Sequence, residues 1–382
     1  MRPFRLAVAD AELEDLRLRL GCTRWPAELE GAGWDYGVPL SYLQELVEYW
    51  RTGYDWREHE ARLNRVPQFI TEIDGARIHF LHQRSPEPDA LPLVVTHGWP
   101  GSVVEFLNII GPLSDPRAHG GDPSDAFHVV APSLPGYGFS GPTRERGWNP
   151  RRIARAWSEL MTELGYQRYG AQGGDWGSAV ARELAGLDAD RVVGIHLNFF
   201  MAPAPADFDG PQSLSASDRQ ALASVQQFRT QRSGYYQVQA TRPDTLGQAL
   251  TDSPVGQLAW IVDKFMEWTG SRERPEQAID RDLMLTNVML YWLTRTAGSS
   301  ARLYYEFARA DQTPSNVPVP TAVAVFPNDI VRPVRAWAER VANIVRWTEF
   351  DQGGHFPALE VPDLLAGDVR AFFRTLRLPS AS

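Results

Sequence analysis

The sequence predicts an α/β fold: a mostly parallel central sheet with helices on both faces, a helical cap inserted late in the chain, and a helical N-terminal extension. Three observations predict it. Between residues 91 and 197, short apolar runs of strand length alternate with helical stretches, the rhythm of a sheet buried on both sides. That rhythm stops from about Pro203 to Asn316, where only helical stretches occur, and resumes at Thr321. Residues 1 to about 66 read as helical and carry Trp25, Trp34, Trp50 and Trp56. The expected divisions are 1–66 for the extension, 67–202 and 317–382 for the two parts of the core, and 203–316 for the cap.

The bulk properties narrow the function classes. With 382 residues, 43% of them hydrophobic and 22% charged, the chain can bury a large core. The net charge of −9 is spread without a basic block, which argues against a nucleic-acid partner. Lys264 is the only lysine, so Schiff-base chemistry would have to rest on it, and Cys22 is the only cysteine, which excludes an internal disulfide and a thiolate metal site. Charged residues interrupt Met1 to Leu20, and no later run reaches the ~20 apolar residues of a membrane span, so a cytoplasmic protein is expected.

In chain order, Asp10 is placed to cap a helix presenting Leu13, Leu16 and Leu20, and Ser41 one presenting Leu43, Leu46, Val47 and Trp50. Such stripes pack against a neighbour, so the extension is read as a buttress. Residues 69–73 and 77–82, joined by Asp74-Gly75, read as a hairpin. Leu91 to Thr96 is a buried strand that ends at His97-Gly98-Trp99-Pro100-Gly101, followed by a helix from Ser102. Phe127 to Ala131 is another strand, and Asn149-Pro150 opens a helix carrying Ile153, Trp157, Leu160 and Leu164. A strand at Val192 to Leu197 precedes the cap, whose clearest helices are Val255 to Trp268 and Asp282 to Thr294. After it come a strand at 321–326, a helix from Pro333, a strand at 347–350 and a last helix from Val361 to Leu376.

The chemistry centres on Tyr169 to Gly177, a strand that runs through Gly173-Gly174 to Asp175 and on into a helix. This is the layout of a nucleophile elbow, G-x-S-x-G, with Asp175 where the serine would stand. Serine attacking saturated carbon would leave an inert ether, whereas a carboxylate leaves an ester that water can cleave. The plainer reading makes Asp175 a helix N-cap. Asp329 follows one later strand and His355, in Gly353-Gly354-His355-Phe356, follows the next. The order Asp175, Asp329, His355 is that of nucleophile, acid and histidine in the α/β-hydrolase fold. His355 would be the base for ester cleavage and Asp329 would hold its tautomer. The N–H groups of Trp176, next after the nucleophile, and Trp99 are the expected oxyanion-hole donors, with His97 read as structural.

His97-Gly98-Trp99-Pro100-Gly101-Ser102, Gly173-Gly174-Asp175-Trp176-Gly177 and Gly353-Gly354-His355-Phe356 together resemble the microsomal-type epoxide hydrolases, the branch that includes the insect juvenile hormone epoxide hydrolases. The cap agrees through Thr241-Arg242-Pro243-Asp244-Thr245 and Asp252-Ser253-Pro254-Val255-Gly256, and the similarity covers nearly the whole chain, with an N-terminal extension wrapping the core. The resemblance implies conversion of epoxides to vicinal diols with no cofactor or metal, and two cap tyrosines that bind and protonate the epoxide oxygen. By position these are Tyr235 and Tyr304, each beside a second candidate, Tyr236 and Tyr305. Two departures stand out: residues 1–20 do not read as the hydrophobic anchor of the membrane-bound members, so the chain is expected to resemble the soluble microbial and fungal ones, and the acid is Asp329 where some have Glu. The expected partners are a small apolar epoxide and water, with no nucleic acid or membrane; a homodimer is left open. A haloalkane dehalogenase is the alternative, since it too has an elbow Asp followed by Trp; the cap tyrosines discriminate, because halide needs no proton. A catalytically silent binding protein of the same fold is the reading from another class. Trp260, Phe265, Trp268 and Trp292 suit an apolar pocket or a core.

Overall fold

The strands, in chain order, are β1 (Arg2–Phe4), β2 (Gln68–Ile73), β3 (Ala76–Gln83), β4 (Leu91–Thr96), β5 (Phe127–Pro132), β6 (Tyr169–Gly173), β7 (Val192–Leu197), β8 (Val317–Val325) and β9 (Ala342–Glu349). The computed structural model describes residues 1–311 and 317–377; residues 312–316 of the expected cap and 378–382 of the expected second core segment lie outside the described residues. The strands form one sheet in the order β1-β2-β3-β5-β4-β6-β7-β8-β9. β4 through β9 run parallel, and β1, β2 and β3 add an antiparallel edge. The β2–β3 turn has Asp74 at φ 50° and Gly75 at φ 72°, the two left-handed positions that an Asp-Gly hairpin turn accommodates.

Helices cover both faces. Trp157, on the helix Pro150–Glu163, bonds Thr96 of β4, and this helix packs with Asp175–Leu187 on one side. The helix Pro362–Arg374 covers the other, where a Cβ at Gly170 would strike Phe373. Asn149 caps its helix as expected, its side chain accepting from the Arg152 N–H. Between β7 and β8 the elements among the described residues are helices, and Gly234–Thr241, Pro254–Glu267, Arg281–Thr294 and Ala297–Arg309 are those nearest the site.

Several expectations need correcting. β1 falls in a region read as wholly helical; its three residues are too few to show a period, and its pairing with β2 alone defines it. Asp10 is the first residue of its helix, after Ala9, and Ser41 lies inside a helix that begins at Leu40 after Pro39, so neither caps. The sheet's last strand starts at Ala342 rather than Trp347, since as an edge strand it leaves Asn343 and Val345 exposed and so lacks a continuous apolar run.

The extension's aromatic residues meet the helices of the β7–β8 connection. Tyr49 donates to Asp282, the Tyr54 hydroxyl lies 2.8 Å from Thr286 Oγ1, and the Trp50 indole N–H points at the Met289 sulfur, 3.3 Å away. All three partners lie on Arg281–Thr294. Trp50 is 3% exposed. Trp50→Ala is therefore expected to lower the unfolding free energy by about 3–5 kcal/mol, the usual cost of emptying a buried aromatic site, measured by chemical denaturation.

Candidate active site

β6 ends at Gly173, Gly174 is the N-cap, and Asp175 begins the helix Asp175–Leu187 with φ 48°. That is left-handed backbone, which costs a non-glycine residue of order 1–3 kcal/mol and persists where the surroundings enforce it. Two glycines make room. A Cβ at Gly177 would lie 1.9 Å from the Thr96 carbonyl oxygen, and one at Gly98 would lie 2.2 Å from Asp175 Oδ1. Asp175 thus stands at the apex of a sharp strand-to-helix turn and does not serve as the N-cap.

Two loops reach its carboxylate, and a third holds the histidine of one of them. Oδ1 accepts the Trp99 N–H at 2.8 Å. The Trp176 N–H belongs to the helix's first turn, where N–H groups have no helical partner. His355 Nε2 lies 3.3 Å from Asp175 Oδ2 but is not aligned for a hydrogen bond, and His355 Nδ1 bonds Asp329 Oδ1 at 2.6 Å. His97, as expected, is a loop brace: Nδ1 meets the Gly98 carbonyl, Nε2 accepts the Leu134 N–H, and burial pushes the ring down to about 4, so it stays neutral.

Burial works against a charged His355, but the carboxylates of Asp329 and Asp175 outweigh it and push the imidazole up to about 10. Burial lifts Asp329, and His355 works the other way. The sign follows. A folded pKa above the unfolded ~6.5 gives a stabilisation that is complete below ~6.5 and is lost as the pH climbs toward the folded value. The His355 ring signals in NMR should therefore report an imidazolium through pH 8, and in Asp175→Asn, with one carboxylate gone, their midpoint should move down.

Tyr235, on Gly234–Thr241, and Tyr304, on Ala297–Arg309, both line a cavity of about 730 Å³ together with Asp175, Trp176, Phe199 and Phe307. Their rings lie 5.9 Å apart, Tyr235 stacks on Trp99, and Tyr304 meets Trp176 edge-on. Burial first, then neighbouring charge including Asp175, pushes both phenols well above their ordinary value, so both keep their protons at neutral pH. Tyr236 shares this cavity, half-buried; Tyr305 lines a different, surface cavity with Arg309 stacked over its ring at 3.5 Å. Trp268 is packed between Tyr235 and His355, Phe265 is buried against Phe356, Trp260 donates to Gln239, and Trp292 is buried under Arg19.

Sequence reasoning missed the residues that hold these loops. Asn287 donates to the Pro100 carbonyl and accepts from Ser102, and Tyr291 donates to the Gly101 carbonyl, so one helix fixes the loop that carries the Trp99 N–H. Glu360 accepts the Phe356 N–H and steadies the backbone beside His355. Asn287 and Tyr291 sit four apart on a helix flanked by apolar residues. That spacing was the available signal, and it reads equally well as core.

Among the described residues no group of histidine, cysteine and acidic side chains could hold a metal ion, and no helix is long and apolar enough to cross a membrane. Against known proteins, a family model of the epoxide hydrolase N terminus matches residues 1–106 and one of the alpha/beta hydrolase fold matches residues 92–365. Epoxide hydrolase 1 of Sus scrofa is 37% identical over 408 residues, 98% of this chain and 89% of its own length. The solved structure of Aspergillus niger epoxide hydrolase has a TM-score of 0.88 at 35% identity, covering 98% of this chain and 96% of that one. Juvenile hormone epoxide hydrolase from the silkworm Bombyx mori has a TM-score of 0.91 at 32% identity, covering 98% and 94%. An elbow that presents a carboxylate, and likeness running from the first residues through the last core helix, agree on one placement: the chain belongs to the epoxide hydrolases of the alpha/beta hydrolase fold and is an epoxide hydrolase.

Proposed function

We propose that Asp175 opens the epoxide by attacking a ring carbon through Oδ2, forming a covalent ester, and that water activated by His355 cleaves it to the vicinal diol. The observation that supports this best is the division of one carboxylate. Oδ1 is engaged by the Trp99 N–H, in the position where an oxyanion would later form, which leaves Oδ2 to bond carbon. The Trp176 N–H is the second donor in this reading.

The protons balance. Tyr235 and Tyr304 hold the epoxide oxygen, and one gives its proton to the alkoxide as the C–O bond breaks. Ester formation erases the charge of Asp175, so the imidazolium of His355 loses one of the two carboxylates that sustain it. It yields a proton, which restores the phenol, and is left neutral and able to act as base. His355 Nε2 then takes a proton from water as the oxygen adds to Cγ of Asp175, and returns it to the departing alkoxide. The carboxylic acid left on Asp175 finally reprotonates His355. The sum is epoxide plus water to diol.

The substrate cavity, about 730 Å³ and walled by aromatic rings, suits a lipophilic epoxide. A single, exposed, unpaired cysteine, Cys22, suits a reducing compartment such as the cytoplasm. A single turnover in 18O-labelled water tests the ester: label should enter the Asp175 carboxylate while the first diol stays unlabelled. Full labelling of that first diol would rule out the covalent route.

A further inference from the structure

Asp175 belongs to two cavities. Besides the large aromatic one it lines a second, of about 10 Å³, with Glu105, Gln172, Asn198 and His355. Among the described residues Asp175 alone lines both, so its carboxyl group is the partition between them. The small cavity has about the room that one water needs. We propose that it seats the hydrolytic water on the side of Asp175 away from the substrate, and that Glu105 and Gln172 are the residues that position that water against Cγ. The proposal rests on the ester reading above and deepens it.

A buried water needs two to four polar partners, and the walls offer them. Gln172 Nε2 donates to Asn198 Oδ1 at 2.7 Å, which fixes the amide and leaves Gln172 Oε1, buried, with no hydrogen-bond partner. His355 Nε2, the atom that must take a proton from water, is likewise buried and without a hydrogen bond. Glu105 lies on the short stretch Val103–Asn108 that follows the Trp99 loop. That loop folds closely around its carboxyl group: a Cβ at Gly101 would fall 1.5 Å from Glu105 Oε1. Burial pushes Glu105 up to about 8, with His355 opposing and Asp175 adding, so at neutral pH the carboxyl group carries a proton. It can then donate to a water oxygen or accept from it without adding a third negative charge beside the nucleophile and Asp329.

A water seated here need not pass the bound substrate, because ester formation fills only the aromatic side. It also lies on the side where His355 can reach it. The consequence is kinetic: loss of either positioning group should slow ester hydrolysis and spare alkylation, whereas a merely structural role would slow both.

Rapid mixing with styrene oxide measures the two steps separately, through tryptophan fluorescence for alkylation and intact-protein mass for the ester. Gln172→Met, which keeps the volume and removes the acceptor, and Glu105→Leu should each leave the alkylation rate unchanged. Each should slow ester hydrolysis about tenfold, the rate equivalent of one lost buried hydrogen bond. Glu105→Gln, which mimics the protonated carboxyl group, should restore most of the rate. In the unsubstituted chain the pH profile of ester hydrolysis should show an inflection where Glu105 gives up its proton, and in Glu105→Gln that inflection should vanish. Equal slowing of both steps, or an unchanged hydrolysis rate in Gln172→Met, would overturn the proposal. If the unsubstituted chain forms no ester at all, the Asp175 reading itself fails, an outcome distinct from either of those.

Discussion

In His355→Gln the enzyme is expected to react once and stop. Asp175 keeps the Trp99 N–H at 2.8 Å, and the tyrosines proposed to protonate the epoxide oxygen are untouched, so alkylation should proceed. Cleavage of the ester then lacks its base. Turnover should fall by roughly 10³-fold or more, toward the upper end of what general-base catalysis contributes. The protein should accumulate at one epoxide equivalent of added mass. Substitution also leaves Asp329 buried without its 2.6 Å partner, so its carboxyl group is expected to take up a proton rather than remain a lone buried charge. Intact-protein mass spectrometry after brief exposure to an aryl epoxide checks the result, and peptide mapping should place the adduct on Asp175. An unmodified protein with no diol would instead mean that His355 is required for alkylation, which the proposed order of steps forbids.

What the chain discloses without coordinates is uneven, and the unevenness has physical causes. The parallel strands were legible because strands buried on both faces are written as unbroken apolar runs, as in β4 with Leu93, Val94 and Val95 all fully buried. The elbow was legible because close backbone approach demands glycine, and Gly173, Gly174 and Gly177 mark it. Asp329 and His355 could be placed because each follows a strand end. Their chain order suggested that Asp329 would hold His355, and the two meet at 2.6 Å; the distance itself could come only from the fold that brings residues 26 apart together. Helix caps failed where the first turn could start a residue early, as at Ala9 and Pro39. Glu105, Gln172 and Asn287 were invisible for another reason. A polar residue in a loop, strand or helix has no pattern of its own, and its meaning depends on what lies across the cavity. Tyr235 and Tyr236 differ by one residue, which on a helix is ~100° of rotation, so composition could not choose between them.

Tyr235→Phe combined with Tyr304→Phe is expected to stall the enzyme one step earlier than His355→Gln. Each change deletes a single oxygen and keeps the ring, so the stacking of Tyr235 on Trp99 and the edge contact of Tyr304 with Trp176 survive and the fold should hold. What is lost, on the proposed mechanism, is the proton for the opening ring. An alkoxide leaving without one must form as a free anion in a cavity walled by aromatic rings, at a large desolvation cost. Turnover should drop by about 10³-fold in the double variant, with each single variant retaining part of the activity through the remaining phenol. No ester should accumulate, in contrast to the histidine variant, because the slowed step now precedes it. Tyr305→Phe is the control: Tyr305 lies under Arg309 on a separate surface cavity, and its loss should leave the rate unchanged. The same double variant separates the reaction from dehalogenation. Displacement of halide from a chloroalkane needs no proton, so if the Asp175 site could run that reaction, chloride release would survive the loss of both phenols while diol formation would not.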